Sequence, residues 1–286
     1  MRKLLVPLAL LLTSIGYSAW ANASDLVKAG MGAQQRGDWS QAADLYGQAL
    51  ASGELSPKGR AQVLGLRANA YGTQGLYNQA IGDFAEAIKI APADPTPLVG
   101  RSIVHRQIGD YDRAIADDDA ALKLVPDYTF AFTNRGMANF YAGHFAAAAG
   151  DFKKSQAADP TEPDFVLWLH LSRARAGEDD AQELARMAAK VDVKSWAGPA
   201  VALFLGQMKP EEVRAAAADK NPALQRQQGC EAAFYLGENA LLHGRKDEAR
   251  TQFQSVLEQC AMYKVNYVYF SHVYGAAQTE LKRMGQ

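Results

Sequence analysis

TFAFTNRGMANFYAGHFAAAAGDFKKSQAADPTE, residues 129–162, decides the fold. Laid under PTPLVGRSIVHRQIGDYDRAIADDDAALKLVPDY, residues 95–128, it falls in phase at an offset of 34. Gly143 lies under Gly109, Phe145 under Tyr111, Ala148 under Ala114 and Pro160 under Pro126. A further step back reaches Gly75, Tyr77, Ala80 and Pro92. Each position has a physical task. The glycine ends a first helix where the backbone needs a tight or left-handed turn. The aromatic starts a second helix and covers that turn. The alanine lets the two antiparallel helices approach closely, and the proline stops the second helix. One such hairpin cannot bury its apolar face alone, so hairpins must stack.

A period of 34 with small, aromatic and proline positions in this order resembles the tetratricopeptide repeat (TPR). In register the units run 61–94, 95–128 and 129–162. A looser unit precedes them, with Gly37, Trp39, Ala42, Tyr46 and Ala49, and the turn-rich stretch from Gly53 to Lys58 lengthens its connection. Another begins near Cys230, with Leu236, Gly237, Gly244, Ala249 and Phe253 in place. Between them, 163–229 lacks the signature and stays helical in pattern. Phe165, Leu167, Trp168 and Leu171 share one face, Glu183 to Met187 suggest a second helix, and Trp196 to Met208 with Glu211 to Ala218 another pair. Phe270, Val273, Tyr274, Ala277 and Leu281 predict a closing helix. The expected fold is all-α: a TPR helical-hairpin solenoid with degenerate helical pairs and a C-terminal capping helix. Its expected divisions are 24–162, 163–229 and 230–286.

The first 23 residues read as a secretory signal peptide. Arg2 and Lys3 are followed by an apolar run from Leu4 to Ile15, too short to span a bilayer comfortably, and then by Ala21-Asn22-Ala23. Cleavage is expected before Ser24, taking the formal charge from −1 to −3. The competing reading is an uncleaved anchor. No cysteine near the cleavage site is available for lipid. Export implies a periplasmic or secreted protein in an oxidising compartment. Cys230 and Cys260 then fall at the start of the last hairpin's first helix and the end of its second, which antiparallel packing brings together. A disulfide is expected.

Lys and Arg total 30 against 31 Asp and Glu, which leaves no basic field for nucleic acid. Arg67, Arg101 and Arg135 recur at the repeat period, as do Asp83, Asp117 and Asp151. Each arginine is expected to pair with the aspartate of its own hairpin. Asp117, Asp118 and Asp119 are consecutive, and consecutive helical residues point apart, so they do not converge on a metal. Asp118 stands where Phe84 and Phe152 stand, with His105 its suggested partner. The five histidines form neither HExxH nor a zinc cluster, and no GxSxG elbow occurs. No cofactor or metal is expected.

Asn134-Arg135-Gly136, Leu167-Trp168-Leu169, Trp196, Phe204-Leu205-Gly206 and Phe234-Tyr235-Leu236-Gly237, with the order of regular, degenerate and regular hairpins, resemble the NlpI (new lipoprotein I) family of periplasmic TPR proteins. The resemblance implies an envelope adaptor that gathers cell-wall hydrolases and a tail-specific protease and forms homodimers. The family's lipid-bearing cysteine is missing, so no lipid anchor is expected.

The leading function is therefore a non-catalytic scaffold for protein or peptide segments. The rivals are a structural subunit of a larger envelope assembly and an enzyme using His170, Asp179, Asp180 and Glu183 within 163–229. First helices of a TPR array line its concave face. Positions expected to point into it include Thr73, Ile103, Gln107, Phe130 and Phe140, and the expected contact set is Asn69, Arg106, Asn134, Met137 and Tyr141. Amides would bond a partner's backbone, Arg106 would meet a carboxylate, and the apolar members would hold side chains.

Overall fold

The computed structural model describes residues 22–192, 196–261 and 271–285. Residues 1–21 of the expected signal peptide (1–23) and the Phe270 position lie outside the described residues. Four hairpins open the chain: α1 (Ala23–Gln35) with α2 (Trp39–Ala51), α3 (Pro57–Thr73) with α4 (Tyr77–Ile90), α5 (Thr96–Gln107) with α6 (Tyr111–Leu124), and α7 (Thr129–Ala142) with α8 (Phe145–Ala158). Then come α9 (Pro163–Ala176), α10 (Ala181–Ala188), α11 (Gly198–Phe204) and α12 (Pro210–Ala216). A long pair, α13 (Pro222–Leu242) and α14 (Lys246–Gln259), precedes α15 (Ser271–Arg283). All described elements are helical, as the 34-residue period requires.

The turn between helices is the same device throughout. Gly37, Gly75, Gly109, Gly143, Gly177, Gly206 and Gly244 all have φ between 68° and 86°. A side chain is strained there, so glycine punctuates each hairpin. Gly177 and Gly206 show that the degenerate pairs keep this turn after losing the rest of the signature. Sixteen residues apart, a small residue on the first helix faces a large ring on the second. A Cβ at Gly136 would lie 3.0 Å from Phe152, and one at Gly237 2.6 Å from Phe253. These rings are fully buried, and they join Phe140, Trp168 and Phe234 in the largest core cluster.

The arginine–aspartate series is a structural ladder. Arg67 Nε donates to Asp83 at 2.7 Å and Arg101 Nε to Asp117 at 2.9 Å. Arg135 donates to Asp151 of its own hairpin and also to Asp119 of the hairpin before it. The three consecutive aspartates thus take three different partners: Arg101, Ser102 and Arg135.

His105 is not the partner of Asp118. Its Nε2 lies 3.9 Å from Asp117, while Ser102 Oγ donates to Asp118 Oδ2. In register, Ser102 and Asp118 replace the Gly136–Phe152 pair, so a hydroxyl–carboxyl contact occupies a site built for a ring. Burial pushes the Asp118 carboxyl well above the usual range, and its Oδ1 has no hydrogen-bond partner. An orphaned buried acceptor costs about 1–3 kcal/mol. Ser102→Gly combined with Asp118→Phe restores the repeat's own solution and is expected to raise stability by about 1–3 kcal/mol. Urea unfolding checks it; no gain would mean the site cannot accept the ring.

Cys230 and Cys260 form the expected disulfide, with Cα atoms 6.0 Å apart. Cys230 lies inside α13 rather than at its start. Asn221 caps that helix, accepting from the Ala223 amide at 2.9 Å, and Pro222 supplies a favoured first residue.

The last helix does more than close the end. It packs on α13 and α14 and also reaches back to α7. Tyr141 donates its hydroxyl to the His272 carbonyl, and Arg283 Nη2 donates to the Phe140 and Tyr141 carbonyls at 2.8 and 2.7 Å. Arg175, at the end of α9, bridges Glu238 of α13 at 3.1 Å and Glu280 of α15 at 2.9 Å.

Candidate binding grooves

The first helices α1, α3 and α5 line an open groove of about 1080 Å³. Their contributions follow helical spacing. Val27 and Met31 come from α1, Gln62, Leu66 and Asn69 from α3, and Thr96, Val99 and Ile103 from α5, with Tyr128 and Phe130 where α7 begins. Each set recurs at three- or four-residue intervals, so each helix presents one stripe. Met31 is 47% exposed and Phe130 42% exposed. Two large apolar side chains on one concave wall make a surface that gains by being covered. Lys28, Glu54 and Asp94 supply charge at its margins.

The expected contact residues divide between places. Asn69 lines the open groove with Ile103 and Phe130. Arg106 and Tyr141 line a second, smaller hollow beside α15. Asn134 and Met137 are buried and line neither of these hollows. Phe140 is fully buried, edge-on to Trp168 with ring centroids 5.2 Å apart, and is a core residue. Thr73 turns its hydroxyl back to the Asn69 carbonyl at 3.0 Å.

Met31 was missed as a groove residue, although its signal was present. It precedes Gly37 by the same interval that separates Asn69 from Gly75, Ile103 from Gly109 and Met137 from Gly143. The expected closing helix is present as α15, but it has no repeat partner, so the period carried no signal for where it would dock.

The residues weighed for catalysis make contacts within the helical array. His170 Nδ1 lies 2.9 Å from Asp180, and the imidazole packs on Phe204 with centroids 5.0 Å apart. Glu183 binds Arg173 at 2.8 Å. Among the described residues, no group of three or more His, Cys, Asp or Glu side chains is placed to hold a metal, and no helix is long and apolar enough to cross a membrane.

A family model described as tetratricopeptide repeat matches residues 27–95, 66–129 and 100–163. Among solved structures, the chain is similar to a tetratricopeptide repeat protein from Parabacteroides merdae. That likeness is 15% identical, covers 91% of this chain and 98% of the other, and has a TM-score of 0.57. PilF of Pseudomonas aeruginosa aligns at 16% identity over 82% of this chain and 90% of its own, with a TM-score of 0.52. MamA from Desulfovibrio magneticus RS-1 aligns at 17% identity over 59% and 94%, also with a TM-score of 0.52. These likenesses show the fold. Repeat period, glycine turns and family match agree over residues 27–163, which match the tetratricopeptide-repeat model.

Proposed function

We propose that this chain is a non-catalytic adaptor of the periplasm, or a secreted one, that holds segments of envelope proteins in the groove formed by α1, α3 and α5. The open groove carries the reading. Its wall exposes Met31 and Phe130 and sets Asn69 and Gln62 beside them. An occupant with apolar side chains covers the former and offers backbone groups to the latter. The resemblance to the NlpI family supports cell-wall hydrolases or a protease as partners, and a homodimer as the assembly. The N-terminal pattern supports export. Cleavage before Ser24 removes the Asn22 cap of α1 and leaves Val27, Lys28 and Met31 on the groove wall.

Mature protein used as bait in a periplasmic extract tests this. Wild type captures discrete proteins, and Met31→Asp with Phe130→Ala lowers capture on the order of tenfold at an unchanged melting temperature. Equal capture by both proteins would sink the groove. A single stoichiometric complex that is indifferent to the substitutions would favour a structural subunit. Export has its own check in an intact mass beginning at Ser24; a mass retaining residues 1–23 refutes it.

A further inference from the structure

The second hollow, about 260 Å³, lies between α15 and the C-terminal end of α5. Its lining is unlike that of the groove. Arg106 and Lys282 supply two positive charges, Gln107 and Gln278 two amides, and Tyr77, Tyr111, Tyr141 and Tyr274 four phenol rings. No acidic side chain lines it among the described residues.

Arg106 is the anomaly. It stands in the register of Phe140, a fully buried position one repeat later, and is itself only 8% exposed. Every arginine of the ladder has a carboxylate at 2.6–2.7 Å. Arg106 makes no ion pair among the described residues, and its Nε has no hydrogen-bond partner. Its guanidinium rests over the Tyr141 ring, 5.5 Å from the centroid. Asp118 of the same hairpin lies near enough to feel its charge but accepts its hydrogen bond from the Ser102 hydroxyl instead. Both polar atoms of the Gln107 amide are buried without a partner as well. Arg106 Nε and the amide atoms of half-buried Gln107 therefore leave hydrogen-bonding capacity unmet beside one hollow, and a buried cation that no carboxylate contacts is costly.

We infer that this hollow is a binding site for the free carboxylate of a peptide chain's C-terminus, separate from the open groove. The planar guanidinium of Arg106 matches a carboxylate in a forked hydrogen-bond pair. Gln107 offers an amide donor beside it, Lys282 closes the mouth with a second charge, and the tyrosine rings flank the organic stem. A singly charged carboxylate suits one buried guanidinium. Lys282 is exposed, so a phosphate dianion brings more charge out of water than the one buried guanidinium offsets. The ring positions are fixed from behind: Tyr111 shares a hydrogen bond with Thr279 at 3.1 Å, and Tyr141 is bound to the His272 carbonyl. The site exists only with α15 docked, so the solenoid and its last helix build it jointly.

Isothermal titration of the mature full chain with N-acetyl-alanyl-alanine, its C-terminal amide and inorganic phosphate tests the assignment. The free acid binds saturably, and the amide at least about tenfold more weakly. Arg106→Gln abolishes binding of the acid. Gln278→Glu, at an exposed position on α15, places an internal carboxylate in the hollow and abolishes it at the wild-type melting temperature; this variant decides the matter if Arg106→Gln misfolds. Asn69→Ala, in the open groove, leaves acid binding unchanged, so failure of the groove reading and failure of this one are told apart. Equal binding of acid and amide overturns the site, as does the absence of saturation at about 10 mM acid. Phosphate binding tighter than the acid overturns the carboxylate assignment.

Discussion

Arg175→Met is expected to cost about 3–5 kcal/mol of folding stability. The guanidinium stands between two carboxylates that water does not reach: Glu238 is fully buried and Glu280 is 1% exposed. It also lies over the Phe145 ring at 4.7 Å, with Arg283 at 5.1 Å from the same ring. Removing it leaves Glu280 with Arg283 and Glu238 with no cation that contacts it. The loss has a defined pH dependence. Burial, and after it the charge of Glu280, pushes the Glu238 carboxyl above the ordinary carboxylate range. A folded pKa above the unfolded one means that the native state holds the proton longer. That contribution is present at acid pH and lost as pH rises through the folded value. Without Arg175 the folded value rises further, so the penalty grows from mildly acid to mildly alkaline pH. Urea unfolding at about pH 5.5 and 8.5 measures it. Adding Glu238→Gln and Glu280→Gln to Arg175→Met recovers most of the loss, because no buried charge is then stranded. A loss that is equal at both pH values would contradict this account of the cluster.

Replacing both Cys230 and Cys260 with alanine is expected to cost about 3–4 kcal/mol, the chain-entropy value for a loop of this length. The bridge ties α13 to the end of α14, and both cysteines are buried at 2% and 0% exposure. The cross-link therefore restrains the hairpin on which α15 packs. Labelling of denatured, unreduced protein finds no free thiol. Two labelled thiols per chain would remove the disulfide, and an unchanged urea midpoint in the double variant would remove its stabilising role.

The repeated part of this architecture was legible because its physics repeats. Gly75, Gly109 and Gly143 demand the same turn, and Arg101–Asp117 and Arg135–Asp151 the same pairing, so each unit corroborates the next. Legibility ended where a unit changed its chemistry. Asp118 in a ring's place was visible as an anomaly, but its partner Ser102 was not, because the small position opposite the ring was not read as half of a pair. Gly177 and Gly206 kept the turn in 163–229 without the aromatics and prolines that draw attention to it. The groove was half legible: Asn69, Ile103 and Phe130 follow from the repeat register, while Met31 belongs to a looser first unit. Arg106 and Tyr141 line the second hollow beside α15. Their separation from Asn69 into a second hollow depends on α15, whose docking rests on single contacts such as Arg283 to the Phe140 carbonyl, which no period encodes.

The central claim is that partners are held on the inner face of α1, α3 and α5. A photo-crosslinking residue placed at Met31 in that groove, and separately at Lys153 on the outer helix α8, tests it most directly. In periplasmic extract, the account predicts discrete crosslinked partners from Met31 and none from Lys153, with the Met31 adducts lost when Phe130→Ala is added. Crosslinks from Lys153 alone, or adducts from Met31 that are indifferent to Phe130→Ala, would contradict it.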